Sequence, residues 1–362
     1  MRNPGLDILR LVAVLLVLAR HIDTPDGKNK FIEVLYTGGW VGVDLFFVLS
    51  GFLVSGLLFK EYLSRGAIDL PRFLIRRALK IYPAFYVLIL FSLLAGIVYG
   101  EHYTRKQIIA ELLFLQNYLD SMWNHTWSLA VEEHFYIFIA LAIYVLMRIG
   151  RMSGTVSFDQ IPLLFCLVFL VAMSCRLLNL ALFDHFSYNS FLFWSHIRFD
   201  SLMFGVLISY YWHFGDLEHR CRNIHTGYLL GVGMCLLLPA FFFPVEQFKF
   251  ISVFGVVLFY LGSGALLVAA MRLKIVTNKL LILCAALGAS SYSIYLWHMP
   301  VKKYIMDLYV NKAMPWGGAG QIVAFVLLSL AVGWLMSKLI EFPVLRIRDR
   351  WLPSRRAGRK HS

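Results

Sequence analysis

The sequence predicts an all-α integral membrane protein, a bundle of about ten transmembrane helices with both termini cytoplasmic, and three observations carry that expectation. Of 362 residues, 59% are hydrophobic and 15% charged, against roughly 45–50% apolar and about 25% charged in soluble domains. The apolar residues gather into stretches of roughly 20, the length a helix needs to cross about 30 Å of hydrocarbon. Lysine and arginine concentrate in every second connecting segment, as the positive-inside rule requires of cytoplasmic loops. The net charge of +13 therefore reports topology. No motif that reads RNA or DNA accompanies it, so nucleic acid is not an expected partner.

Hydropathy places the spans near 6–22, 40–59, 82–100, 127–147, 161–178, 197–214, 227–243, 250–271, 280–299 and 319–340. The first has the apolar core of a signal peptide, but Arg10 interrupts it and no small-residue cleavage site precedes Arg20 and His21, so it reads as a retained helix. With the N-terminus inside, the internal segments carry Lys60 to Lys80, Arg148 and Arg151, Arg220 and Arg222, Arg272 to Lys279, and a basic tail over 346–362. The outer segments are richer in aromatic residues, Asn, Pro and Gly. Residues 107–119 are apolar enough to lie along the outer interface as a short helix, or to re-enter the membrane. Residues 1–345 form one transmembrane domain without internal repeats. The five cysteines (Cys166, Cys175, Cys221, Cys235 and Cys284) include no C-x-x-C pair, so neither disulfides nor a metal site are expected.

An ionisable side chain inside hydrocarbon costs at least ~2.5–3.5 kcal/mol on insertion scales, which makes each one a candidate for function. Arg10 and His21 stand eleven residues apart, about three helical turns or ~16 Å along one face. A neutral imidazole can take a proton from an alcohol that attacks a carbonyl. The bland alternative is that Arg10 snorkels inward and His21 rests among headgroups. Asp44 enters the glycine-studded segment 38–56 and would hold the His21 tautomer, balance Arg10, or serve in structural pairing alone; the glycines themselves suit close helix packing. Trp127, Ser128, Glu132, Glu133 and Tyr136 open the fourth span, with Ser128, Glu132 and Tyr136 on one face. Arg198 and Asp200 open the sixth, where local charge compensation competes with substrate contact. Ser291, Tyr295 and His298 form a stripe on the ninth. By topology these outer ends are expected to meet at one outward-facing cavity. Across the membrane, Arg72, Arg76, Arg77 and Lys80 make a basic segment suited to a phosphate anion, or simply to positive-inside anchoring.

Taken together, these pieces resemble the acyltransferase-3 family of membrane acyltransferases over nearly the whole chain. They are Arg10 with His21, GVDLFFVLSGFL at 42–53, RRALKIYP at 76–83, WSLAVEEHFY at 127–136, RFDSLMFG at 198–205, SYSIYLWHMP at 291–300 and IEFPVLR at 340–346. The resemblance implies a ten-helix bundle in a bacterial cytoplasmic (inner) membrane. It also implies transfer of an acyl group, usually acetyl from cytoplasmic acetyl-CoA, to a hydroxyl of a glycan or lipid-linked sugar at the outer face, as in lipopolysaccharide or exopolysaccharide modification. It assigns the catalytic histidine to His21 with Arg10 as its partner, and the donor-binding motif to Arg76, Arg77 and Lys80; Lys80 stands where the family often has arginine. Some members carry a fused extracytoplasmic esterase-like domain; its contribution is here either dispensable or supplied by a partner protein. No G-x-S-x-G elbow occurs, so a serine-hydrolase mechanism has no support.

On this reading His21 is general base or transient acyl carrier, Asp44 orients it, Arg10 stabilises negative charge, and Glu132, Glu133 and Asp200 line the acceptor side. The competing reading is a secondary transporter or flippase for an anionic or glycolipid substrate. Inverted repeats and short broken helices would favour it, and the sequence displays neither.

Overall fold

Local signals start and stop the first helices. In a computed structural model, which describes residues 3–22, 29–152, 157–273, 278–313 and 318–353, α1 (Pro4–Arg20) begins where the Asn3 side chain accepts from the Gly5 amide and Pro4 presets the first turn. After α2 (Lys30–Gly38), α3 (Gly42–Arg65) ends on Gly66 at φ 68°, a left-handed cap that suits glycine. Asp69 caps the start of α4 (Leu70–Tyr99) through the Arg72 amide, and Gly100 at φ 73° ends it. A capping box between Thr104 and Gln107 opens α5 (Arg105–Leu112), a short helix that covers only the first part of the segment 107–119 expected to be helical. α6 (Trp127–Met152), α7 (Ile161–Leu182) and α8 (Phe199–Phe214) follow. Lys274 and residues 354–362 of the expected tail lie outside the described residues.

Among the described residues the fold is helical without strands. Six helices are long and apolar enough to cross a membrane, seven if one bent pair counts as a single span. The chain is thus a multi-pass membrane protein. The other expected spans are shorter helices: α1 has 17 residues, α8 has 16, and Thr226–Phe242 falls in the same class. At 1.5 Å per residue, α1 and α8 reach only ~26 and ~24 Å.

Two elements differ from expectation. The span expected at 82–100 begins twelve residues earlier, so the basic segment 72–83 is the first part of a 30-residue helix. The helical face expected of 72–83 is therefore present, and what differs is that it is continuous with the span that follows. Pro83 lies inside that helix and removes one of its hydrogen bonds. The span expected at 280–299 is broken: Lys279–Ala289 and Ser291–Val310 meet at 67°. Capping by Asn278 and the small residues around Ser290 leave no local signal strong enough to have marked that break.

α1 and α3 occupy the middle of the bundle and contribute to both of its buried apolar clusters. α7 and the C-terminal half of α4 keep large apolar faces exposed, Ile97 and Val98 by 81% and 76%, as lipid contact requires. The most extensive helix contact joins α3 to α8. Glycine makes that approach feasible from both sides. A Cβ at Gly51 would stand 1.9 Å from the Leu202 carbonyl oxygen, and one at Gly205 would stand 2.2 Å from that of Val48.

Gly51→Ala or Gly205→Ala should therefore force the two helices apart at a cost of about 1–3 kcal/mol, lowering Tm in detergent by a few degrees. Gly231→Ala, which meets nothing within 4 Å, should leave Tm unchanged or slightly raised. Equal Tm values for all three variants would contradict this account of the crossing.

Candidate active site

Among the described residues, the polar side chains expected to meet in one cavity are divided between two. The first, the histidine cavity, has a volume of about 350 Å³ and is walled by His21, His125, Trp127, Arg198, Tyr295 and Lys302, with Tyr36, Trp40, Tyr188 and Phe193 adding aromatic surface. The second, the basic cavity, has about 110 Å³ and is walled by Arg10, Arg77, Lys80, Ser50, Ser128, Glu132, Tyr136, Ser291, Tyr292 and Tyr295. Only Val43 and Tyr295 border both. α1 runs from one to the other, with Arg10 below and His21 above.

His21 immediately follows α1. A carbonyl can only accept, so its Nδ1, 2.9 Å from the Val17 oxygen, is assigned the proton and Nε2 keeps the lone pair. The His21 carbonyl accepts from Lys302 Nζ at 2.8 Å. The His298 ring lies 4.8 Å from the His21 ring, and the His125 ring 4.9 Å beyond it. His298 Nδ1 donates to the Tyr295 carbonyl (2.5 Å) and His125 Nε2 to that of Leu296 (3.2 Å). The remaining nitrogens, His298 Nε2 and His125 Nδ1, are buried without a partner. Among the described residues no group of His, Cys, Asp or Glu is arranged to hold a metal.

The charged residues divide in ways that spacing does not predict. Asp44 is not beside His21 or Arg10. It is buried in an ion pair with Arg198 at 2.7 Å, while Arg198 lies over the rings of Phe47 and Trp127. The contact expected of Asp44 at the His21 ring is made instead by the Val17 carbonyl. Asp200 is likewise withdrawn from the cavities, paired with buried Arg176, which also donates to the carbonyls of Ile197 and Val253. Arg10 is tied to Asp7 at 2.7 Å and faces the basic cavity, about three helical turns from His21. Glu132 accepts from Tyr136 (2.5 Å) and Ser50 (3.1 Å) inside the basic cavity, on the opposite side of the Tyr295 floor from His21. Glu133 turns to Tyr82 instead and lines neither cavity.

Arg77 and Lys80 line the basic cavity, whereas Arg76 turns outward to Asp349 (3.0 Å) and the Leu352 carbonyl. The basic segment from Arg72 to Lys80 is therefore split: Asp349, Leu352 and Pro353 claim Arg72 and Arg76, and the cavity claims Arg77 and Lys80. The stripe Ser291–Tyr295–His298 spans the two cavities. Ser291 borders the basic one, and Tyr295 forms the floor between them, its hydroxyl donating to the His125 carbonyl (2.5 Å) and bonded to Ser128 Oγ (2.6 Å). His298 stands behind His21. At the outer rim, burial opposes ionisation of Glu246, but the Tyr188 hydroxyl and Arg20 hold its carboxyl below the usual range.

His125, Lys302 and Arg176 are among the residues of this arrangement that were not singled out from sequence. His125 lies two residues before Trp127, which opens the fourth span, in a 3-10 turn. Arg176 was detectable as the one charged side chain in an otherwise apolar stretch at 161–178. Breaking a buried ion pair leaves an uncompensated charge, at about 3–5 kcal/mol. Asp44→Asn or Arg198→Gln alone should sharply lower Tm and accumulation in detergent, while the double variant recovers part of the loss. Stable single variants, or an additive double variant, would contradict the pairing.

The sequence model of the family described as Acyltransferase domain matches residues 3–338. A protein of Staphylococcus aureus (strain COL) named "Putative O-acetyltransferase" is 28% identical over 373 residues, covering 94% of this chain and 57% of the relative. O-acetyltransferase OatA of Staphylococcus aureus (strain NCTC 8325 / PS 47) is 26% identical over 371 residues with the same coverage. The chain thus spans little more than half the length of these relatives. No solved structure matches it. With the family match running from the start of α1 through the helix at 319–336, the chain belongs to the acyltransferase-3 family of membrane proteins.

Proposed function

We propose that the chain is a membrane O-acetyltransferase that moves an acetyl group from acyl-CoA, bound on the cytoplasmic side, to a hydroxyl of a glycan or lipid-linked sugar at the outer face. The observation that carries this reading is the pair of cavities sharing Tyr295 and Val43, one holding Arg77 and Lys80 and the other His21. The cations suit a donor that carries phosphates. A volume of about 110 Å³ is below the ~300–1,000 Å³ of sites that bury a drug-sized ligand. It therefore admits one end of the donor, with the remainder outside. The aromatic walls of the larger cavity suit the apolar faces of sugar rings.

The reaction on this reading is a direct displacement. The acceptor hydroxyl gives its proton to His21 Nε2 as its oxygen attacks the thioester carbonyl. The C–S bond then breaks, and the thiolate of CoA takes the proton back from His21. Arg10, on the donor side of Tyr295, serves the donor rather than the imidazole. The ten-span topology with both termini cytoplasmic, the bacterial inner membrane as location and any extracytoplasmic partner belong to this proposal too. The basic residues at α4 and helix 342–351 support that orientation.

The 67° break at Ser290 is the one observation that favours a transporter or flippase, since broken helices line transport paths. Family membership and the lone pair left on Nε2 of His21, a residue that lines the histidine cavity, favour transfer.

The test is label transfer from radiolabelled acetyl-CoA in inverted vesicles. Wild type should label the glycan or lipid-linked sugar fraction, and His21→Ala should lose at least ~10² of that rate while still inserting. Labelling by His21→Ala at the wild-type rate, or sugar transport without labelling, would overturn the proposal. In the same assay Arg77→Ala and Lys80→Ala should each raise KM for acetyl-CoA roughly tenfold, the loss of one charge-assisted bond. Lys80→Arg should stay near wild type. Unchanged KM in both alanine variants would exclude the basic cavity as donor site.

A further inference from the structure

A base that accepts a proton inside a low-dielectric bundle becomes a cation, and catalysis needs a dipole or anion already facing it. In histidine-based acyl transfer a carboxylate commonly does this. Here Asp44 is committed to Arg198, Asp200 to Arg176, and Glu132 lies in the other cavity. What stands against the His21 ring is the ring of His298, 4.8 Å away and edge-on. We propose that His298 is the positioning residue for His21, its Nε2 lone pair facing the positive charge that His21 acquires on taking the acceptor's proton. This rests on the reading of His21 as the base in acyl transfer.

Three observations support it. The single N–H of His298, at Nδ1, is held by the Tyr295 carbonyl at 2.5 Å, so the ring cannot turn and Nε2 must present a lone pair. That Nε2 is buried with no hydrogen-bond partner, an arrangement that disfavours the fold unless a later state of the site uses it. His298 itself is fully buried and borders neither cavity, so it does not meet substrate directly. His125 closes the far side of the cluster at 4.9 Å. The proton passes from the acceptor oxygen to His21 Nε2 and on to the departing sulfur; His298 keeps its own Nδ1 proton throughout, and no further reactant is needed.

Two conservative variants separate this role from a merely structural one. His298→Gln puts an amide oxygen near the place of Nε2, keeping the acceptor. His298→Asn puts its amide nitrogen near the place of Nδ1, keeping the tie to Tyr295 without the acceptor. His298→Phe keeps neither. With the full chain in vesicles and acetyl-CoA as donor, His298→Gln should hold kcat within about tenfold of wild type, while His298→Asn and His298→Phe should lose about 10²-fold or more in kcat, with KM for acetyl-CoA little changed. An active Asn variant beside an inactive Gln variant would make His298 a structural tether and overturn the proposal, as would an active Phe variant or failure of Gln to rescue. If the Phe variant does not accumulate, the Gln and Asn pair decides. A His21→Ala control in the same preparation distinguishes the two levels. Its loss of activity beside an unimpaired His298→Phe overturns this inference alone, whereas its full activity overturns the reading on which the inference rests.

Discussion

The buried ion pair between Asp44 and Arg198 is the constraint on which the rest of the bundle depends. Neither side chain is more than 1% exposed, and they meet at 2.7 Å across α3 and the residue that precedes α8. In hydrocarbon either one alone would be expelled or neutralised. Together they fix the register of the two helices, and Gly51 and Gly205 let the backbones come close enough for the pair to form. A second pair, Arg176 with Asp200, fastens α7 to the same helix. Arg198 lies over the rings of Phe47 and Trp127, so one wall of the histidine cavity is positioned by the same contact.

With that wall set, the chemistry is arranged along two roughly parallel tracks. α1 carries Arg10 at the basic cavity and His21 at the histidine cavity. The helix Ser291–Pro300 carries Ser291 at the first, Tyr295 between them and His298 behind His21. Its break from Lys279–Ala289 lets it lean across the bundle, and the same break frees the backbone near Ser290 to tilt the stripe toward His21. On the proposed reading, a thioester reaches His21 only past Tyr295, whose hydroxyl is pinned to the His125 carbonyl and to Ser128.

Much of this was legible in the sequence because a membrane makes ionisable residues conspicuous. Arg10, His21, Asp44, Glu132, Arg198 and Asp200 stand out against apolar neighbours, and helical spacing correctly puts Ser128, Glu132 and Tyr136 on one face. Partner choice was not legible. Whether Asp44 meets His21, Arg10 or Arg198 depends on how far each helix is rotated and how deep it sits, and a spacing of three or four residues contains neither quantity. Arg76 and Arg77 differ by one position, or about 100° of rotation, and that alone sends one to helix 342–351 and the other to the cavity. His125 was missed because it lies in a turn outside any periodic pattern, and the break at Ser290 because no proline marks it. The short α1 and α8 show the limit of hydropathy windows, which define an apolar stretch but not where its hydrogen bonding stops.

The central claim is that donor and base meet across the Tyr295 floor from opposite cavities. The most direct test is a structure of the full chain with a non-hydrolysable thioether analogue of acetyl-CoA. The account predicts the phosphates of the analogue at Arg77 and Lys80, and its sulfur and acyl carbon beyond Tyr295 within reach of His21 Nε2. An analogue seated wholly in the histidine cavity, with Arg77 and Lys80 uncontacted, would contradict it.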